Sequence, residues 1–354
     1  MRELEVKGLL EKAEVEAVLV TDPYNMRYLS GFSGGEGALL LTDRKKVLIT
    51  DSRYTEAAGR ETDFLVLEES RSNPRGKLLA QLAEEYRVSR MGFEDASVTY
   101  QEYEKLRKTL PEQELIPLGG LLDSLRAVKT EEELKLIRRA ESIGDLAFAK
   151  ILEVLKPGIS ELEVAAELEY QMKRAGAEGL SFDTIVASGL HSSMPHAVPT
   201  EKKLEPGDFV TMDFGCRYQG YCSDMTRTVV IGKASQEQKK IYQTVLEAQR
   251  LALDQLSAGK TGRQVDAVAR GHIAEAGYGK YFGHGLGHSL GLFIHEEPRL
   301  SPGDDTLLLP GMVETVEPGI YVPGFGGVRI EDLALVKEGG CENYTGSPKE
   351  LIEL

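Results

Sequence analysis

Four short apolar runs recur early in the chain: Ala17-Val-Leu-Val20, Ala38-Leu-Leu-Leu41, Val47-Leu-Ile-Thr50 and Phe64-Leu-Val-Leu67. Helix-patterned stretches separate them, and this alternation predicts a small α/β domain. Pro111, Pro117 and the pair Gly119-Gly120 then interrupt regular structure before a long helical pattern opens at Thr130. Such breakers mark a boundary, placed near 120 within the window 111–128, so the expected domains are 1–120 and 121–354.

Beyond the boundary, four helix starts each pair a Ser or Thr with an acid or amide three residues on: Thr130/Glu133, Ser160/Glu163, Ser235/Gln238 and Thr261/Gln264. In this spacing the hydroxyl caps a backbone N–H and the longer side chain reaches back to the cap. The starts come as two pairs. A shift of 101 positions lays Leu155, Gly158, Ser160, Val164, Ala166 and Gly176 on Leu256, Gly259, Thr261, Val265, Ala267 and Gly277. With small register shifts the match continues through His196/His295, Gly207/Gly311, Asp213/Glu317, Gly215/Gly319, Asp224/Glu331 and Gly232/Gly339. Each half thus reads as two helices followed by antiparallel strands, which predicts an α+β domain with an internal pseudo-twofold repeat and a site at the junction of its halves.

Composition narrows the function. The 42 Lys and Arg against 57 Asp and Glu leave a charge of −15, which disfavours nucleic acid and anionic lipid as partners. No apolar run approaches the ~20 residues a membrane span needs. The start Met1-Arg-Glu-Leu-Glu5 is acidic where a signal peptide is basic, and three cysteines make no disulfide framework. A cytoplasmic protein with reduced thiols is expected.

Chemistry concentrates in three stretches. Asp208 to Val230 reads as two strands joined at Gln219-Gly220; in that register Asp213 faces Thr226 and Gly215 faces Asp224, so both aspartates lie on one face. Two carboxylates so close repel unless a cation or proton lies between them. Phe282 to Arg299 holds three of the six histidines, His284, His288 and His295, among glycines that allow close backbone approach. The last apolar strands carry Glu317 and Glu331 as the inward acids, with Arg329 on the face of Glu331. Four carboxylates and a histidine suit Mn²⁺, Co²⁺, Fe²⁺ or Zn²⁺, and two carboxylates free to bridge imply two ions.

The order Asp213, Asp224, His288, Glu317, Glu331 resembles the metal-ligand signature of the pita-bread metallopeptidases, a family that includes methionine aminopeptidase, aminopeptidase P and prolidase. Asn25-Met-Arg-Tyr-Leu-Ser-Gly-Phe32 is similar to the N-terminal domain of the proline-specific members. The resemblance implies an α/β N-terminal domain followed by an α+β pita-bread (creatinase/aminopeptidase) domain. It also implies two divalent ions, Mn²⁺ or Co²⁺ foremost, with Asp213 on one, His288 and Glu317 on the other, and Asp224 and Glu331 bridging. His196, His284 and His295 match the family's substrate-side histidines, and Glu317 the proton shuttle. Arg299 resembles the arginine with which prolidases hold the carboxylate of a C-terminal proline, and Arg329 joins it as a substrate-binding candidate. The implied substrates are small peptides with proline second, and the implied assembly a homodimer. The short interval between Glu317 and Glu331 resembles archaeal-type prolidases, so an Xaa-Pro dipeptidase is favoured over an aminopeptidase P that acts on longer peptides; a non-catalytic binding protein on the same fold is the remote alternative. Ser289 departs from the glycine that many members carry after the ligand histidine.

Other motifs fail on context. Gly287-His-Ser-Leu-Gly291 fits a nucleophile elbow, but no histidine follows beyond His295 to complete the triad in that fold's order. Cys216 and Cys222 lack partner cysteines for zinc, and Gly283-His-Gly-Leu-Gly287 lacks the third glycine of a dinucleotide loop.

Overall fold

The computed structural model describes residues 6–354; the acidic segment 1–5 weighed against a signal peptide lies outside the described residues. The chain divides into two compact units, one ending at Arg126 and the other running Ala127–Leu354. The division falls beyond Gly119-Gly120 because Leu121–Arg126 forms a helix whose Leu122 is buried in the core of the first unit. The glycine pair therefore precedes the last element of that unit and does not end it.

The first unit is built on a six-stranded mixed sheet. Ala17–Val20 pairs antiparallel with Ala38–Thr42 and parallel with Arg90–Phe93, and Lys46–Asp51 pairs parallel with Leu65–Glu69. Its two central strands, Ala17–Val20 and Ala38–Thr42, are buried at every position because both faces are covered. Val18, Val20, Leu39, Leu41 and Leu48 enter one core, while Ala17, Leu19, Leu40, Val47 and Ile49 enter another. The Asn25 to Phe32 stretch forms most of the helix Pro23–Ser30, capped by Asp22 and ended by Gly31 at φ 79°.

In the second unit all four expected capping boxes close, opening helices Glu131–Ile151, Glu161–Arg174, Gln236–Gln255 and Gly262–Glu275. The two helix pairs have nearly equal lengths, 21 and 14 residues against 20 and 14. The repeat is also visible in the backbone. Gly158/Gly259, Gly176/Gly277, Gly207/Gly311 and Gly232/Gly339 all take positive φ, pair by pair. An isolated bridge follows the same grammar in each half, Ser160 to Lys203 and Thr261 to Leu307.

Two sheets carry the site. The first joins Met225–Val230, Phe209–Phe214 and Ile185–Ser188. The second has five strands and places Gly287–Ser289 beside Val313–Val316, which pairs with Asp332–Lys337. Separate apolar cores lie under the two helix pairs. Among the described residues, no helix is long and apolar enough to cross a membrane.

Candidate metal centre

The hairpin forms in the expected register, with Asp213 opposite Thr226 and a turn at Gln219-Gly220 where both residues take positive φ. Gly215 is required here, because a Cβ at that position would lie 2.0 Å from the Ser223 carbonyl oxygen. Gly287 has the same function beside His288, since a Cβ there would lie 1.9 Å from the carbonyl of Thr315. That close approach lets the His288 N–H donate to Thr315 Oγ1 at 3.0 Å.

These strands enclose a cleft of about 460 Å³ that Asp213, Asp224, His288, Glu317 and Glu331 all line. His196, His284, His295, Arg299 and Arg329 line it as well, so the cleft gathers every site residue named from the sequence. His288 Nδ1 lies 3.0 Å from the Ser289 carbonyl. An Nδ1–H donated there leaves Nε2 unprotonated and aimed at Asp224 Oδ2 and Glu317 Oε1, at 3.5 and 3.6 Å. Ligand atoms of Asp224, His288 and Glu331 lie within 4.8 Å of one another.

Burial and mutual repulsion govern the acids. Desolvation first, then the neighbouring charge of Asp213, raises the Asp224 carboxyl well above the usual carboxylate range. Glu331 moves the same way through burial and then Asp224 and Glu317, and burial brings Glu317 up to about 7. Asp213 Oδ1 and Asp224 Oδ1 are buried without a hydrogen-bond partner. Crowded, under-satisfied carboxylate oxygens next to an imidazole lone pair form a donor set that divalent cations fit.

The histidines differ from one another. His284 has both ring nitrogens engaged, Nδ1 at 2.7 Å from the Gly285 carbonyl and Nε2 at 2.9 Å from Tyr321 Oη. His196 and His295 are exposed on the cleft wall. Burial, helped by the charge of Arg329, lowers His284 to about 4, and partial desolvation by the cleft wall lowers His295 to about 4, so both are neutral at neutral pH.

Arg329 lines the cleft, yet its guanidinium is turned to the protein's own groups. It donates to Asp213 Oδ2 at 2.6 Å, Tyr321 Oη at 2.8 Å and Thr226 Oγ1 at 3.0 Å. Thr226 in turn donates to Glu331 Oε2 at 2.7 Å. Arg299 is freer, with Nε 3.3 Å from Glu297 and a side chain 37% exposed. Neither Tyr321 nor Thr226 is among the site residues named from the sequence. Thr226 carried a signal, two residues from Asp224 and so on the same strand face; Tyr321 had none that distinguishes it from a core tyrosine.

Comparison with known proteins agrees with this geometry. The model of metallopeptidase family M24 matches residues 135–338, and that of the creatinase/prolidase N-terminal domain matches 3–128. An Xaa-Pro dipeptidase of Pyrococcus horikoshii is 40% identical, covering 97% of this chain and 96% of its own. The structure of an Xaa-Pro dipeptidase from Bacillus anthracis superposes with a TM-score of 0.95 at 44% identity, covering 99% and 98% of the two chains. That of an X-Pro aminopeptidase from Thermotoga maritima reaches 0.92 at 38% identity, covering 98% and 100%.

Proposed function

The chain belongs to metallopeptidase family M24, and from that premise we propose that it is a dinuclear Xaa-Pro dipeptidase. The observation that carries the proposal is the convergence of Asp213, Asp224, His288, Glu317 and Glu331 on one cleft. Asp213 would hold one divalent ion, His288 and Glu317 the other, and Asp224 and Glu331 would bridge them. Mn²⁺ and Co²⁺ are the first ions to try, before Zn²⁺ and Fe²⁺. Ions held by these residues would supply a water-derived nucleophile at neutral pH and polarisation of the scissile carbonyl.

The chain's own residues do the rest. Glu317, whose Oε1 lies 3.2 Å from Thr315 Oγ1, receives and returns the proton. Exposed His196 and His295 donate to the developing oxyanion, while His284 is held by Tyr321 and keeps that wall in place. Phe182, Ile185 and Pro195 give the cleft an apolar wall for the proline ring. Arg299 receives the proline carboxylate through a charge-assisted fork, and Arg329 holds Asp213 and Tyr321 beside the substrate.

The aminopeptidase reading keeps two supports: the likeness to the Thermotoga maritima X-Pro aminopeptidase, and an Arg299 side chain that is already bonded to Glu297 and partly exposed. Hydrolysis of Ala-Pro and Ala-Pro-Ala side by side, with Mn²⁺ or Co²⁺ and a chelator control, separates the two. Dipeptide cleavage alone is expected; equal or faster tripeptide cleavage would overturn the dipeptidase assignment. Asp224→Ala and Glu331→Ala should each abolish metal binding and turnover in a folded protein, and full activity in either would refute the site. A cytoplasmic homodimer belongs to the same proposal and is tested by cell fractionation and sedimentation.

A further inference from the structure

Behind the cleft lies a second set of buried polar side chains that the proposed chemistry does not use. Thr226 and Thr228 point toward the site, reaching Glu331 Oε2 and the Arg329 carbonyl. Strand alternation therefore turns Arg227 the other way, and it is 1% exposed. A guanidinium has five N–H donors, and this one meets five acceptors. Nε donates to the Pro348 carbonyl at 3.0 Å, Nη1 to the carbonyls of Thr226 at 3.0 Å and Glu331 at 2.5 Å, and Nη2 to Asp332 Oδ1 at 2.7 Å and the Ser347 carbonyl at 2.8 Å. Asp332, fully buried, also accepts from Gln249 at 2.9 Å, Asn343 at 2.8 Å and Lys349 at 2.5 Å, all on Oδ2.

The position of this pair matters because Met225–Val230 and Asp332–Lys337, the strands that Asp224 and Glu331 immediately precede, are not ladder neighbours. They belong to different sheets and meet through a backbone bond from the Glu331 N–H to the Thr226 carbonyl at 3.1 Å. Arg227 grips the carbonyls of Thr226 and Glu331 at once, so its planar fork spans the seam where ladder bonds are missing. A third anchor sits beside it. Glu141 Oε2 accepts from the Asp224 N–H at 3.3 Å, while its Oε1 accepts from Thr345 Oγ1 at 2.6 Å. Thr345 Oγ1 in turn accepts from the Leu333 N–H at 2.8 Å. Residues 343–349 thereby tie both of these strands together from the side away from the cleft.

We infer that Arg227 and Asp332, closed by residues 343–349, form a positioning clamp that sets the separation of Asp224 and Glu331 and thereby the affinity of the centre for metal. The inference rests on the proposed dinuclear site. It makes Arg227 a positioning residue whose loss is felt in metal binding beyond any effect on folding, because Nη1 donates to the carbonyl of Thr226, two residues from Asp224, and to that of Glu331 itself.

The test is Mn²⁺ titration by calorimetry of the dialysed full-length protein, with Arg227→Lys and Lys349→Met beside the wild type. Far-ultraviolet circular dichroism and thermal unfolding in chelator report the fold separately, and the visible spectrum of the Co²⁺ form reports ligand geometry. Lysine keeps the charge but cannot reach five acceptors. Arg227→Lys is therefore expected to weaken Mn²⁺ binding by about tenfold or more, the range typical of groups that orient metal ligands, and to alter the Co²⁺ bands. Lys349→Met, at a partly exposed site, is expected to weaken binding a few-fold with the fold intact, and decides the matter should Arg227→Lys not fold. Wild-type Mn²⁺ affinity and an unchanged Co²⁺ spectrum in a folded Arg227→Lys, or in Lys349→Met, would overturn the clamp while leaving the site standing. Absence of Mn²⁺ and Co²⁺ binding by the wild type would instead remove the dinuclear reading itself.

Discussion

Glu314 is fully buried on the strand Val313–Val316, and neither of its carboxyl oxygens has a hydrogen-bond partner. Burial pushes its pKa well above the ordinary carboxylate value, so the folded protein holds a proton that the unfolded chain releases. Stability then falls as pH rises past the ordinary carboxylate range. Glu314→Val, suited to a strand interior, is expected to raise stability by about 1–3 kcal/mol, with a larger gain at pH 8 than at pH 4 by thermal unfolding; a destabilised variant, or a gain that shrinks with pH, would refute this. Arg299 presents the opposite case, because its exposure means that loss should affect substrate binding and leave the fold alone. Arg299→Gln is expected to raise KM for Ala-Pro about tenfold, the worth of one charged hydrogen bond, with Tm unchanged. At this scale the acids and histidines were legible because their chemistry is unusual for ordinary strands. The commitment of Arg329 to Asp213 was not, since it depends on residues 116 positions apart meeting in space.

The helix caps are local devices, and the sequence showed the four of the second unit. Thr130 opens the first helix of the first half and Thr261 the second helix of the second half, each bonded to the N–H three residues on. Thr130→Ala and Thr261→Ala should each lower stability by about 1 kcal/mol, and the two losses should add, because the caps share no partner; chemical denaturation of the single and double variants checks both points. The pseudo-twofold repeat was legible for a related reason. Helix starts and positive-φ glycines such as Gly158 and Gly259 are fixed by conformation and not by partners. The domain boundary was harder to place, because Gly119-Gly120 looks like a linker until Leu122 is seen buried in the first unit.

Across the whole molecule, the two halves each contribute acids to a cleft that is electrostatically unfavourable by itself. Asp224, Glu317 and Glu331 all hold protons more tightly than free carboxyls do. The metal-free protein should therefore lose stability as pH rises from about 5 to about 8, while added Mn²⁺ should raise Tm by an amount that grows over that range, since fewer protons remain to be displaced. A metal-free Tm that is flat or rising over that range would contradict the crowded-carboxylate description. The two-domain α/β and α+β plan could be read from residue pattern, and the acids and histidines that line the cleft from their types and spacing; the Arg227–Asp332 seam could not, because a buried arginine looks like any other basic residue until its five acceptors are assembled. The central claim, metal-dependent hydrolysis of Xaa-Pro, is tested most directly by stripping the protein with chelator and following Ala-Pro cleavage as Mn²⁺ is added back. No cleavage without metal and a rate that saturates near two ions per chain are expected. Undiminished cleavage after complete chelation, or silence on Ala-Pro with two ions bound, would contradict it.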